Sequence, residues 1–436
     1  MTVGFADNAL LSGLLGDAEI AEYFSPRAEI AAMIAFEAAL ARAEAAEGVI
    51  PEAAGAALSA SLSGIVPDPD DLIEPTRAAG VVVPGLVKWL REQVGPPFGS
   101  YIHWGATTQD ATDTGLVLRL RDVLQVLEDR LRELTDVLAA QSRAHARLAM
   151  AGRTRSQIAT PVTLGLRIAA WRAPLASCLD RLAELRPRLL QVQLGGASGT
   201  LSVLGRQGPA VLDRLAEDLG LGASAKAWHT ERDTIVECAN WLAMVSGLLG
   251  RIGSDLILMG RSEIAEASAG KGGGSSTMPQ KSNPVLAEAM VTLARFNASQ
   301  VGAAQAALIH PEERDGPAWS GEWLVLPQMV VATGAGLAHA IELARTLAPR
   351  ANTMRANMEI GGGAIHAEAL AFALAAQMPL AEAQGLVKAA AQETGGTLTE
   401  RVVARARAAG HAPPDLADLD IADLAEIWID RSLNGV

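Results

Sequence analysis

Leucines and valines recur at helical spacing through Leu116, Leu120, Leu124, Leu127, Leu131 and Leu134, in a stretch (113–150) with no proline and only Gly115 near its start. A stripe at intervals of three and four predicts one long helix there. A second is predicted from near Pro161, bending at Pro174. A third, over 230–267, rests on Ile235, Cys238, Leu242, Val245, Leu249, Ile252, Leu256 and Met259. The fourth starts after Asn283-Pro284, proline being suited to a first helical position, and runs to about 309. The fifth covers 323–358 with Pro327 in its first turns. Strand-like alternation is confined to 80–83 and 195–204, so the expected class is all-α.

Helices of about forty residues span about 55 Å at the α-helical rise, too long for a compact monomer. Their broad apolar stripes call for partners from other chains, which predicts a homo-oligomer. Three blocks are expected: an N-terminal helical part (1–105), a long-helix body (106–350), and a C-terminal helical part (351–436) after the Gly361-Gly362-Gly363 break. The net charge of −13 argues against general attraction to nucleic acid or acidic lipid, so an anionic ligand must be caught by local groups. The two cysteines, Cys178 and Cys238, lie in helical apolar patterns and lack metal-ligand spacing; neither metal nor organic cofactor is expected. No basic region followed by an apolar core opens the chain, which makes the cytoplasm the default expectation. The apolar stretch 241–260 contains Arg251 and Asp255, unlike a simple membrane span.

The chemistry concentrates in Gly272-Gly273-Gly274-Ser275-Ser276-Thr277-Met278-Pro279-Gln280-Lys281-Ser282-Asn283-Pro284. Successive glycines allow backbone conformations closed to other residues, so several N–H groups can converge on one anion. A serine hydroxyl is a weak acid and a weak base near neutral pH. Ser275 becomes a proton carrier only if backbone N–H groups, the following helix N-terminus or Lys281 stabilise its alkoxide, and the segment offers all three. Helix capping accounts for Asn283. It leaves the glycines, the hydroxyls and Lys281 unexplained.

Three further segments carry clustered polar groups. His103-Trp104-Gly105-Ala106-Thr107-Thr108-Gln109-Asp110 precedes the first long helix, which Thr112 or Asp113 is placed to cap. His103, Thr107, Thr108 and Gln109 together suggest substrate binding. Gly152-Arg153-Thr154-Arg155-Ser156-Gln157 and Trp228-His229-Thr230-Glu231-Arg232-Asp233 each set arginine beside short polar residues before a helix, and a guanidinium fork suits a carboxylate.

Together these segments resemble the fumarase, aspartase, argininosuccinate lyase and adenylosuccinate lyase superfamily over most of the chain, with 275–284 matching its signature loop. The resemblance implies a homotetramer around a central helix bundle, with each active site assembled from three subunits. It carries Ser275 over as the residue that exchanges a carbon-bound proton, and Lys281 and Asn283 as stabilisers of enediolate-like charge. It also implies substrate contacts by His103, Thr107, Thr108, Arg153, Thr154, Arg155, Gln157, Arg232, Ser276, Met278 and Arg314.

Within the superfamily, the His103 and Trp228 segments, the Gly195-Gly196-Ala197-Ser198-Gly199-Thr200 turn, and Glu313-Arg314 followed by Trp319 and Glu322-Trp323 resemble lactonising cycloisomerases of muconate-type substrates. Arg155 stands where the lyases carry a histidine. Expulsion of a hydroxyl or amine needs a proton from a general acid, whereas the carboxylate that adds or departs in lactone chemistry is stable as an anion, with a reference pKa of about 4. Arg155 is therefore expected to bind a carboxylate where the lyases keep an acid. Glu288 matches the acidic partner of the missing histidine, and Glu231 replaces a more usual glutamine. The alternatives are a fumarate-releasing lyase such as one acting on adenylosuccinate, a cycloisomerase for a substituted, for example sulfonated, muconate, and a scaffold protein that has lost catalysis.

Overall fold

The computed structural model describes residues 8–274, 277–414 and 421–434. Helices dominate, and the class is all-α. The first long helix, Thr108–Ala144, starts earlier than its apolar stripe. Asp110, at the third helical position, accepts the Thr107 N–H at 2.9 Å, the reciprocal half of a capping box. Thr112 and Asp113, the expected caps, are buried inside the helix as a result.

Beyond this helix comes a β-hairpin that the apolar pattern did not announce, Ala149–Thr154 paired antiparallel with Gln157–Thr163. Its turn, Arg155-Ser156, has φ of 48° and 68°, the two positive values of the hairpin turn that matches right-handed strand twist. A Cβ on Gly152 would lie 2.5 Å from the Thr160 carbonyl oxygen, so glycine is required for the strands to close. Pro161 thus sits in a strand. The second long helix is Leu164–Leu189, with the Thr163 hydroxyl accepting the Leu166 N–H at 3.2 Å, and it continues through Pro174.

The third and fourth long helices are Asp233–Met259 and Val285–Ala306. The fifth is Gly316–Arg345, because the Asp315 carboxylate caps it through the Ala318 N–H at 2.9 Å; Pro327 lies in its interior. A separate helix, Ala351–Met358, follows the short pairing of Ala348–Pro349 with Ala267–Ser268. Neither expected strand forms. Gly80, at φ 76°, ends the helix Ile73–Ala79, Val83 opens Val83–Val94, and 195–204 is turns and loop.

The chain forms two compact units, each discontinuous in sequence. The first comprises Met1–Leu131, Cys178–Leu249 and Thr292–Ala338; the second comprises Arg132–Ser177, Gly250–Val291 and His339–Val436. Every boundary falls inside a long helix, so these units do not follow chain order as the three expected blocks do. In the first unit Phe36, Leu40, Leu58, Leu86, Leu90, Ile102, Val211 and Leu215 form a core, each large side chain contributing about 1.5–3 kcal/mol by burial. In the second, Leu370, Leu374, Val387 and Val402 form one cluster, and Ala146, Ala169, Ala425 and Ile429 another. Cys178 and Cys238 are buried thiols, and burial pushes the Cys238 thiol up to about 12. Asp233–Met259 and Gly316–Arg345 are long and apolar enough to cross a membrane by length and composition, but the apolar window of Gly316–Arg345 is 78% buried inside the fold.

Candidate active site

In the first unit the Asp110 carboxylate acts as a hub. Besides the Thr107 N–H it accepts from the Gly195 and Gly196 N–H groups, each at 2.9 Å, and from Gln193 Nε2 at 3.2 Å. His229 Nε2 lies 2.8 Å from the same carboxylate. One buried anion thereby ties the start of the first long helix to the glycine turn and to the Trp228-His229 segment. Charge-assisted bonds of this kind exceed neutral ones in strength, which suits a junction that must hold its shape.

Arg232 is held inside the fold. Its guanidinium is 1% exposed and makes four hydrogen bonds to two carboxylates. It donates to Asp113 at 2.7 and 3.2 Å and to Glu322 at 2.8 and 2.6 Å. Burial opposes its charge, yet Asp113 and Glu322 outweigh burial and hold it protonated, above the ordinary arginine value. Trp319 Nε1 and Gln109 Nε2 also donate to Asp113, each at 3.0 Å. Arg232 is thus a buried cation held between two carboxylates. Arg314 lies beside this network: its Nε donates to Gln109 Oε1 at 2.8 Å, while one Nη reaches the Ala197 carbonyl at 3.4 Å.

His103 has φ 61°, a left-handed conformation uncommon outside glycine. Its Nδ1 lies 2.6 Å from Glu37 Oε1. With Thr108, Lys88 and Arg91 the ring lines a cavity of about 530 Å³. Thr107 is half-buried at the helix start, its backbone held by Asp110.

The second unit holds the hairpin and the glycine loop. Arg153, its side chain 20% exposed, forks its guanidinium onto the fully buried Glu266 at 2.7 and 3.0 Å. Asn357 Nδ2 donates to the same carboxylate at 3.0 Å. Thr154, Arg155 and Gln157 are exposed at the hairpin tip, with Arg155 leading the turn. In the loop, Gly273 and Gly274 pair with Asn283 and Ser282 as a two-residue antiparallel ladder. Gly272, at φ 67°, takes a left-handed conformation that favours glycine. The Lys281 N–H donates to the Met278 carbonyl at 3.0 Å, and Lys281 and Met278 are exposed. Ser275 and Ser276 lie outside the described residues. Among the described residues no group of three or more His, Cys, Asp or Glu is placed to hold a metal ion.

A family model described as lyase matches residues 17–298. The chain belongs to the lyase family. Among its relatives in this fumarase/aspartase superfamily, the 3-carboxy-cis,cis-muconate cycloisomerase of Pseudomonas aeruginosa is 40% identical over 98% of this chain and 96% of its own. The enzyme of that name from Bradyrhizobium diazoefficiens is 38% identical over 93% and 92%. The solved 3-carboxy-cis,cis-muconate lactonizing enzyme from Pseudomonas putida superposes with a TM-score of 0.90 at 35% identity, covering 98% of both chains.

Two acids that sequence reasoning passed over hold candidate site residues, Glu37 against His103 in the first unit and Glu266 against Arg153 in the second. Each is an acid in an otherwise apolar or small-residue stretch, and a buried carboxylate needs a partner. That cost was the available signal. The identity of the partner was not, because Glu37 lies 66 positions from His103 and Glu266 lies 113 from Arg153.

Proposed function

We propose that this lyase-family chain is a 3-carboxy-cis,cis-muconate cycloisomerase, closing its substrate to a carboxymuconolactone. A substrate carboxylate oxygen forms the new C–O bond, and the displaced π electrons collapse onto carbon. Ser275 delivers a proton to that carbon, and solvent restores the hydroxyl. Lys281 and Asn283 offset the enediolate-like charge on the adjacent carboxylate; a placed donor of this kind is worth about 3 kcal/mol at the transition state. In this reading His103, Thr107, Thr108, Thr154, Arg155, Gln157, Ser276, Met278 and Arg314 contact the substrate. Arg153 and Arg232 support the site through Glu266 and through the Asp113–Glu322 pair.

The observation that carries the reading is Arg155, an exposed cation at the apex of the hairpin turn. A guanidinium cannot act as an acid near neutral pH, yet it binds a carboxylate well. That suits a reaction whose oxygen is already an anion and does not suit amine or hydroxyl expulsion. A homotetramer with sites shared between subunits belongs to the same reading, supported by apolar side chains left outside on the long helices: Met244, Leu258, Trp323 and Leu324. So does a cytoplasmic location. The test is to follow loss of muconate absorbance with 3-carboxy-cis,cis-muconate, in parallel with fumarate release from adenylosuccinate and argininosuccinate. The reading expects the first alone; fumarate release without lactonisation overturns it.

A further inference from the structure

We propose that Glu37 is a positioning residue for substrate recognition, holding His103 so that its Nε2–H binds a substrate carboxylate at the cavity beside Lys88 and Arg91. The proposal rests on the cycloisomerase reading and adds a carboxylate subsite to it.

Three observations converge. Glu37, on the helix Pro26–Ala46, is 3% exposed, and its Oε1 is 2.6 Å from His103 Nδ1. This contact places the proton on Nδ1 and leaves Nε2 for a ligand. The His103 backbone is held at φ 61°, a strained setting that persists only where surroundings enforce it. The ring lines a cavity of about 530 Å³ with Lys88, Arg91 and Thr108, a basic lining in a chain whose net charge is −13.

The charges facing the imidazole explain its state. Burial works against protonation, but Glu37, through both its charge and its hydrogen bond, and Asp110 on the helix Thr108–Ala144 outweigh burial and the repulsion from Arg91 on Val83–Val94. The result is a histidine that titrates above its ordinary value. Glu92 also lines the cavity. Once cationic, His103 donates from Nε2, and with Lys88 and Arg91 it matches one carboxylate of a tricarboxylate. When neutral, the same nitrogen becomes an acceptor and repels that carboxylate. Glu37 therefore sets the pH range over which the subsite binds anions.

The experiment is a histidine NMR titration of the full-length protein without substrate, His103→Gln identifying the resonance, combined with steady-state kinetics. In Glu37→Gln the His103 midpoint is expected to fall by about one to two pH units. At pH 7 KM for 3-carboxy-cis,cis-muconate should rise about tenfold while kcat changes by less than about threefold, as for loss of a binding contact. Glu37→Asp retains a carboxylate at longer reach and should show smaller changes of the same sign; it carries the test if the glutamine variant does not fold. An unchanged midpoint, or a lowered midpoint with unchanged KM, overturns the proposal. Failure of the wild-type protein to turn over the muconate, with the midpoint still falling in Glu37→Gln, overturns instead the cycloisomerase reading on which the subsite rests.

Discussion

Arg232 lies under the carboxylates of Asp113 and Glu322 with 1% of its surface exposed, whereas Arg155 stands at the apex of a two-residue turn with its side chain in solvent. Both stand in polar segments of the sequence, Thr154-Arg155-Ser156 and Thr230-Glu231-Arg232. The difference lies in the acids around them: two buried carboxylates converge on Arg232, and none of the hydrogen bonds or ion pairs among the described residues ties Arg155 to an acid. A buried carboxylate must find a cation or lose its charge, so it claims whichever arginine the fold brings near. An arginine that escapes such a claim is the one left to meet an anionic substrate.

Breaking the buried side of the comparison should have the largest effect. Arg232→Ala leaves Asp113 and Glu322 buried without their cation and should cost about 3–5 kcal/mol of unfolding free energy, read by urea denaturation. A loss under about 1 kcal/mol would mean that the triad is not a structural element.

Glu44 sharpens the point, because it is a buried carboxylate that no cation among the described residues claims. Among the described residues neither of its oxygens has a hydrogen-bond partner, and burial, reinforced by Glu37, raises its pKa from 4.5 to about 9. The folded state keeps this proton where the unfolded chain releases it. Stability is therefore undiminished by Glu44 below pH 4.5 and falls as pH rises from 4.5 toward about 9. By pH 7 the loss amounts to about 3 kcal/mol, at about 1.4 kcal/mol per unit. Glu44→Gln should raise the melting temperature at pH 8 and leave it nearly unchanged at pH 4.5; equal shifts at both would contradict the assignment.

On the exposed side, Arg155→Ala should reduce kcat/KM by about 10–100-fold, the scale of a lost charged hydrogen bond. Its unfolding free energy should stay within about 0.5 kcal/mol of wild type. Unchanged kinetics would remove Arg155 from the site. The smallest effect should come from salt: exposed cations are screened, so KM should rise several-fold between about 0.05 and 0.5 M ionic strength, checked by initial rates at fixed pH.

The long helices were legible because an apolar stripe at intervals of three and four reports burial on one side, a property of local sequence. Their ends were less so. Asp110 and Asp315 set the first and fifth helix starts through single capping bonds, which period alone cannot locate. The 149–163 hairpin was missed for the same reason: its strands are short, and its turn relies on Arg155 and Ser156 at positive φ instead of the Asn-Gly pair that marks such turns. In the candidate site, His103, Thr108 and the glycine loop stood out as polar groups clustered in sequence. The buried partners of Arg153 and Arg232 did not, because Glu266 and Glu322 reach them from 113 and 90 positions away.

The most direct test of the account removes the hydroxyl of Ser275. In Ser275→Ala, the initial rate of muconate absorbance loss should fall by about 10²–10⁴-fold, the range for a lost proton-transfer group. Affinity for 3-carboxy-cis,cis-muconate, measured by calorimetry on the same sample, should stay within about threefold of wild type. A variant that lactonises at the wild-type rate would contradict the claim that this serine delivers the proton.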